Sequence, residues 1–235
     1  MFKGKKVLGV VPARAGSKRL PGKNVAKIAG KPLICWTLEA AINSKYIDSV
    51  VLSTDDLNIA AVGGECYDLE VLIRPRGISD DNSPMVSVVE NVIEQMEKRG
   101  SKFDYLVLLQ PTSPLRRAEH IDEAFLTVTS KGGVGAVSIC RTEHPQEWMG
   151  KIGSDDRLDS FFCQTQLEIQ SQLFVPSYQV NGAIYIVPID QFLEERTFFL
   201  RKGMIPYIMN RDVSIDIDEE FDLVIARTIF EQHKA

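Results

Sequence analysis

Short runs of aliphatic and β-branched residues recur along the chain, each separated from the next by a segment whose apolar residues fall three and four apart. This alternation constrains the fold more than any other feature, because strands joined through helices line up as parallel neighbours in one sheet. The spacing predicts strands at 6–11, 49–53, 71–74, 105–109, 135–139, 183–187 and 213–217, with helices at 32–43, 84–99, 118–130 and 219–232. In the second helix Val88, Val89, Val92, Ile93 and Met96 form a core-facing stripe. A weaker helix at 56–61 is expected to stop before Gly63-Gly64.

The rhythm fails between 142 and 180, where glutamines and scattered aromatics (Trp148, Phe161, Phe162) show no period. We therefore expect a core of residues 1–141 plus 181–235, with 142–180 inserted as a dimerisation arm or lid. A length of 235 residues suits one such domain, and 44% hydrophobic side chains exclude a disordered chain.

Composition narrows the partners. Lys+Arg number 27 against 32 Asp+Glu, a formal charge of -5, which argues against nucleic acid. No apolar stretch reaches the roughly 18 residues a membrane span needs. The opening apolar run stops at Pro12, too short for a signal peptide, so a cytoplasmic protein is expected. Cys35, Cys66, Cys140 and Cys163 form no C-x-x-C pair and read as buried thiols of a reducing compartment. His120, His144 and His233 show no metal-ligand spacing.

The loop after the first strand inverts the chain's charge. Residues 12–24 carry Arg14, Lys18, Arg19 and Lys23 among the small residues Gly16, Ser17 and Gly22. Ligands of open α/β sheets bind beyond the carboxyl ends of strands, so this loop stands where phosphates are expected. It is no Walker loop, since five residues rather than four stand between Gly16 and Gly22 and Asn24 follows Lys23. Nor does it hold G-x-G-x-x-G, which argues against a nicotinamide cofactor.

The segment Ala13-Arg-Ala-Gly-Ser-Lys-Arg-Leu-Pro-Gly-Lys-Asn24 resembles the signature loop of the acylneuraminate cytidylyltransferases, which include the bacterial enzymes for legionaminic and pseudaminic acid. Further blocks follow in the family's order: Ser53-Thr-Asp55, Arg74-Pro75, Gln110-Pro-Thr-Ser-Pro-Leu-Arg116, Asn181-Gly-Ala-Ile-Tyr185 and Ser214-Ile-Asp-Ile-Asp218. The resemblance implies a Rossmann-like three-layer αβα nucleotidyltransferase with a mostly parallel mixed sheet, working as a homodimer. It implies Mg2+ chemistry, with Mn2+ as a substitute, in which a sialic-acid-like nonulosonic acid attacks the α-phosphate of CTP and pyrophosphate leaves. The enzymes for the eight-carbon sugar KDO share part of the loop and remain an alternative, as does a non-catalytic nucleotide sensor.

Residue by residue, the resemblance assigns Arg14, Lys18 and Lys23 to the triphosphate, with Ser17 and Asn24 bonding phosphate or ribose. Arg74 and Ser83 are assigned to the base. Asp216 and Asp218 are assigned to the metal; two apart on an extended run, both carboxylates point to one face. Asp218 can instead cap the helix that follows. Gln110, Thr112, Asn181 and Tyr185 are assigned to the sugar. Phe198 and Phe199 suit either an N-acyl contact or core packing, and Asp80 and Asp81 read as turn residues. No side chain is assigned as general base. Gln179 and Ser171 stand where many relatives place arginines, so either other groups recognise the sugar carboxylate or the preferred acid is not N-acetylneuraminate.

Overall fold

The computed structural model describes residues 1–79 and 83–232, so Asp80, Asp81 and His233 lie outside the described residues. Seven strands form one sheet in the order β5-β4-β1-β6-β8-β7-β9. These are β1 (Val7–Ala13), β4 (Ser49–Thr54), β5 (Glu70–Ile73), β6 (Tyr105–Leu108), β7 (Gly135–Arg141), β8 (Tyr178–Pro188) and β9 (Met204–Met209). A separate two-stranded hairpin pairs β2 (Lys27–Ile28) with β3 (Lys31–Pro32). β1 lies parallel to both β4 and β6, and β5 and β9 are parallel to their neighbours. Only β8 runs antiparallel, between β6 and β7. The sheet is therefore mostly parallel and mixed, as expected.

Helices cover both faces, and the pleat of β1 shows why. Val7 and Val11 point into a core with Ile34 and Leu38 of α1 (Leu33–Ile42) and Phe125 of α4 (Ala118–Ser130). Leu8 and Val10 point the other way, into a core with Val89, Val92 and Met96 of α3 (Met85–Lys98). Each such side chain taken fully from water contributes about 1.5–3 kcal/mol, so a period-two strand flanked by amphipathic helices can settle only between two layers. Among the described residues no helix is long and apolar enough to cross a membrane.

Several local expectations are corrected. Residues 213–217 form no strand; a turn of 3-10 helix at Arg211–Val213 leads into an unpaired segment, and the last strand is β9. Pro206 hid β9, because proline removes a ladder donor, and the sheet tolerates it at an edge. α2 (Leu57–Cys66) runs through Gly63 and Gly64 rather than stopping before them. A Cβ on Gly63 would stand 2.3 Å from Leu52 Cδ2, so this glycine lets the helix approach β4. Cys35 and Cys66, expected as thiols, are joined in a disulfide that links α1 to α2, since these two consecutive helices, joined through β4, pack side by side. β8 starts earlier than predicted, pairing Tyr178 with Arg141 at the point where the chain leaves for the irregular 142–177 segment. That segment holds one short α-helix, α5 (Asp159–Gln164), and two turns of 3-10 helix, at Gln146–Trp148 and Ser171–Leu173. After Pro188, α6 (Ile189–Glu195) returns the chain to the core, and α7 (Glu220–Gln232) closes it.

Candidate active site

The carboxyl ends of β1, β4 and β6 stand side by side, and the loop after β1 closes over them. The resulting cleft has a volume of about 570 Å3, within the roughly 300–1,000 Å3 usual for small-molecule sites. Every residue assigned from sequence lines it except Ser83, Asn181 and Tyr185.

The loop is held by its own polar groups. Asn24 is buried and donates to the Arg14 carbonyl at 2.9 Å, so its amide braces the loop's entry. Asp55, at the end of β4, accepts from the Ala15 amide at 3.0 Å. Arg74 is buried, donates to the Ala13 carbonyl at 3.0 Å and stands 3.5 Å from Asp55. Burial pushes its guanidinium below the usual range, Asp55 opposes that, and Arg14 adds to it. Its Nε is buried with no acceptor among the described residues, a donor left for a ligand. Gly22, at φ 70, turns the chain so that Lys23 points inward. The Lys23 ammonium donates to the Ile217 carbonyl at 2.7 Å and to Asp218 Oδ1 at 3.1 Å, while Arg19 Nη2 donates to Asp218 Oδ2 at 2.8 Å.

The acidic residues are presented by packing instead of a sheet ladder. Ile217 is fully buried against Ile28, Leu33, Leu223 and Ala226, and its amide donates to the Thr112 carbonyl at 2.8 Å. With Ile217 anchored, Asp216 and Asp218 turn to the cleft. Asp218 does not cap α7; Asp222 does that work, accepting from the amides of Asp218 at 2.9 Å and Glu219 at 2.8 Å. The Asp216 carboxyl is open to solvent on one side, yet the cleft walls lift it above the usual carboxylate range. Asp218 lifts it further, against the Thr112 hydroxyl and Lys23.

Two carboxylates facing one another's field fit a divalent cation. Among the described residues no group of three or more His, Cys, Asp or Glu is arranged to hold a metal ion. A site with two protein oxygens suits Mg2+, which keeps waters and uses substrate phosphates for the rest of its shell.

The opposite wall is organised differently. Gln110 and Thr112 line the cleft on the loop after β6. Gly182, at φ +75, lets Gln110 lie across β8, since a Cβ there would stand 2.6 Å from Gln110 Oε1. Asn181 does not reach the cleft. It is buried, its Oδ1 accepts from Ser138 Oγ at 2.6 Å, and its Nδ2 donates to Ser214 Oγ at 2.9 Å, which ties β7 and β8 to the segment carrying the acids. Tyr185 is likewise buried, with its ring edge-on to Phe199 and tilted against Phe198; burial and Asp216 raise its phenol. Phe198 is core, whereas Phe199 is exposed. Ser83 sits just before α3, and Met85 lines the cleft from there instead.

Three contributors were not assigned from sequence. Arg19 was seen only as one more loop cation, and Asp55 only as part of a block. Arg116 is fully buried beneath the Gln110–Thr112 loop, donating to Thr37 Oγ1 at 2.9 Å and to the carbonyls of Ala183 and Gln110 at 3.3 Å. Desolvation alone pushes its guanidinium down to about 9. Only long-range packing separates Arg116, a brace, from Arg74, which faces the cleft.

A cationic loop facing a carboxylate pair over a parallel-sheet edge is an arrangement for holding a nucleoside triphosphate, and known proteins agree. The CMP-N,N'-diacetyllegionaminic acid synthase of Legionella pneumophila is 34% identical over 227 residues, covering 96% of this chain and 97% of its own. The N-acylneuraminate cytidylyltransferase of Escherichia coli O18:K1:H7 is 31% identical over 225 residues, 95% of this chain but 52% of that protein. The pseudaminic acid cytidylyltransferase of Campylobacter jejuni is 29% identical, over 96% of both chains. The solved structure of CMP:2-keto-3-deoxy-manno-octonic acid synthetase complexed with CTP shares the fold, with TM-score 0.70 at 18% identity over 97% of this chain and 99% of that one. The profile of one family, described as cytidylyltransferase, matches residues 8–216, so the basic loop and the segment bearing Asp216 fall within a single matched unit and the chain belongs to that family.

Proposed function

We propose that this chain joins CTP to a sialic-acid-like nonulosonic acid, giving the CMP-sugar and pyrophosphate. The names of the relatives above support that acceptor class. The observation that carries the reading is the facing of Arg14, Lys18 and Lys23 against Asp216 and Asp218 across one cleft. In the proposed reaction the anomeric hydroxyl oxygen bonds the α-phosphorus while the bond from that phosphorus to the bridging β-phosphate oxygen breaks, its electron pair leaving on pyrophosphate and the hydroxyl proton passing to a phosphate oxygen or water. Such a transfer needs the triphosphate in line and its growing charge neutralised more than it needs covalent help.

Arg14 can fork onto two phosphate oxygens, while Lys18 and Lys23 act as compact charges; Ser17 adds a neutral bond. Arg74 carries a spare buried donor toward cytosine O2 or N3. Asp216 and Asp218 would hold Mg2+, which when bound offsets charge on the phosphates. Gln110 and Thr112 orient the sugar, and Asn181 and Tyr185 serve it indirectly by fixing the wall behind them. Gln179 and Ser171 are exposed and carry no charge, so another group meets the carboxylate that every such acid bears, and the name of the Legionella relative supports legionaminate as the acid. The exposed apolar residues Ile152, Phe162, Leu173 and Val175 of the 142–180 segment offer the surface for a homodimer, and a cytoplasmic enzyme has CTP at hand.

The test is pyrophosphate release from CTP and Mg2+ with N-acetylneuraminic, legionaminic, pseudaminic and KDO acids in turn. Turnover with a nonulosonic acid and silence with KDO is expected. Turnover with KDO alone moves the enzyme to the eight-carbon class, and CTP binding with no turnover on any acid marks a sensor.

A further inference from the structure

Arg19 reaches across the mouth of the cleft to a residue 199 positions away and occupies one oxygen of Asp218, at 2.8 Å. Lys23 occupies the other at 3.1 Å. These two cations differ in how firmly they are held. The Lys23 side chain is 11% exposed and also bonded to the Ile217 carbonyl at 2.7 Å, so it is a fixture of the cleft floor. Arg19 is 63% exposed and makes no other hydrogen bond among the described residues, which leaves it free to exchange partners. Each Asp218 oxygen therefore already faces one of the protein's own cations. A divalent cation that binds Asp218 meets the repulsion of those two charges, and Arg19 is the one that can move away.

We infer that Arg19 is an ionic gate on the Asp216/Asp218 pair, a positioning residue that competes with the divalent cation for Asp218 and is released when the cation arrives with the triphosphate. The inference rests on the reading that this pair holds the metal. A bare cation displacing Arg19 leaves the guanidinium without a partner. A cation arriving with CTP brings phosphate oxygens that the released fork can meet, because Arg19 lines the same cleft. Occupation of the metal site is thereby coupled to the nucleotide, through one ion pair that each ligand biases.

The experiment is titration of Mn2+ into the full-length protein, followed by electron paramagnetic resonance, with and without CTP. It uses wild type, Arg19→Ala, Arg19→Lys and Asp218→Asn. Without CTP, Arg19→Ala should bind Mn2+ about fivefold more tightly than wild type, the size of an exposed ion pair. Arg19→Lys should return toward wild type, and the gain in Mn2+ affinity on adding CTP should shrink in Arg19→Ala. Equal or weaker Mn2+ binding by Arg19→Ala, or binding by neither protein, overturns the gate. Asp218→Asn separates the two readings. Loss of Mn2+ there with no effect of Arg19→Ala sinks the gate alone, while undiminished binding there sinks the metal assignment beneath it. Arg19 is exposed and outside the core, so these variants fold and no result goes unread.

Discussion

On the wall built by the loop after β1, polar side chains meet one another across the cleft: Arg19 and Lys23 both end on Asp218, and Arg74 keeps a donor in reserve. On the wall built by β8, the polar groups of the matching motif end inside the protein: Asn181 spends its amide on Ser138 and Ser214, and Tyr185 packs against Phe198. One wall presents charge that a ligand can claim. The other is a rigid backing whose polarity is already satisfied. A polar residue in a motif block can thus belong to a ligand or to a brace, and burial decides which.

The strongest challenge to this contrast is removal of the acid on the charged wall. Asp218→Ala should lower turnover by about a thousandfold or more, the scale on which losing a charge-stabilising group acts, while calorimetry still detects CTP binding; full activity would reject the metal role. Next is Arg116, the buried brace. Arg116→Ala strips partners from two buried carbonyls and Thr37, and should cost about 3 kcal/mol in urea unfolding; a loss below about 1 kcal/mol would show that the loop stands without it.

A paired substitution sharpens the comparison directly. Asn181→Ala should destabilise by about 1–3 kcal/mol, as expected when buried partners lose their bonds. Gln110→Ala should leave unfolding unchanged and raise KM for the sugar acid. The reverse pattern would exchange the roles of the cleft-lining Gln110 and the buried Asn181.

The smallest effect concerns Asp216. Its carboxyl is lifted in the folded protein, so the folded state holds that proton more tightly than the unfolded chain does. Its contribution to stability is full below the unfolded value and is lost as pH rises through the folded one. Asp216→Asn should therefore stabilise the metal-free protein slightly at pH 7, with the gain fading near about pH 4. Urea midpoints at the two pH values check the sign.

Much of the sheet was legible because buried parallel strands are short aliphatic runs and their helices carry an apolar stripe; the α3 stripe Val88 to Met96 is buried as read. What misled was residue chemistry whose meaning depends on distant partners. No strand was predicted at 204–209, where Pro206 removes a ladder donor that an edge can spare, and Gly63 argued for a stop where it allows contact with Leu52. The run 213–217 has the alternation of a strand, but Ile217 is buried by the β2–β3 hairpin and α7, so the pattern presents Asp216 and Asp218 without any ladder. The cleft's charged wall was legible as a local reversal of charge. On the other wall Gln110 and Thr112 do line the cleft, but Asn181 and Tyr185 do not, and nothing local distinguishes an amide facing a sugar from one bonded to Ser138.

The claim at the centre is that the sugar's anomeric oxygen attacks the α-phosphorus of CTP. Mass spectrometry of the products from an acceptor acid carrying oxygen-18 in that hydroxyl tests it most directly. The account predicts one heavy oxygen in the CMP-sugar and none in pyrophosphate; an unlabelled CMP-sugar, its bridging oxygen taken from the nucleotide, would contradict it.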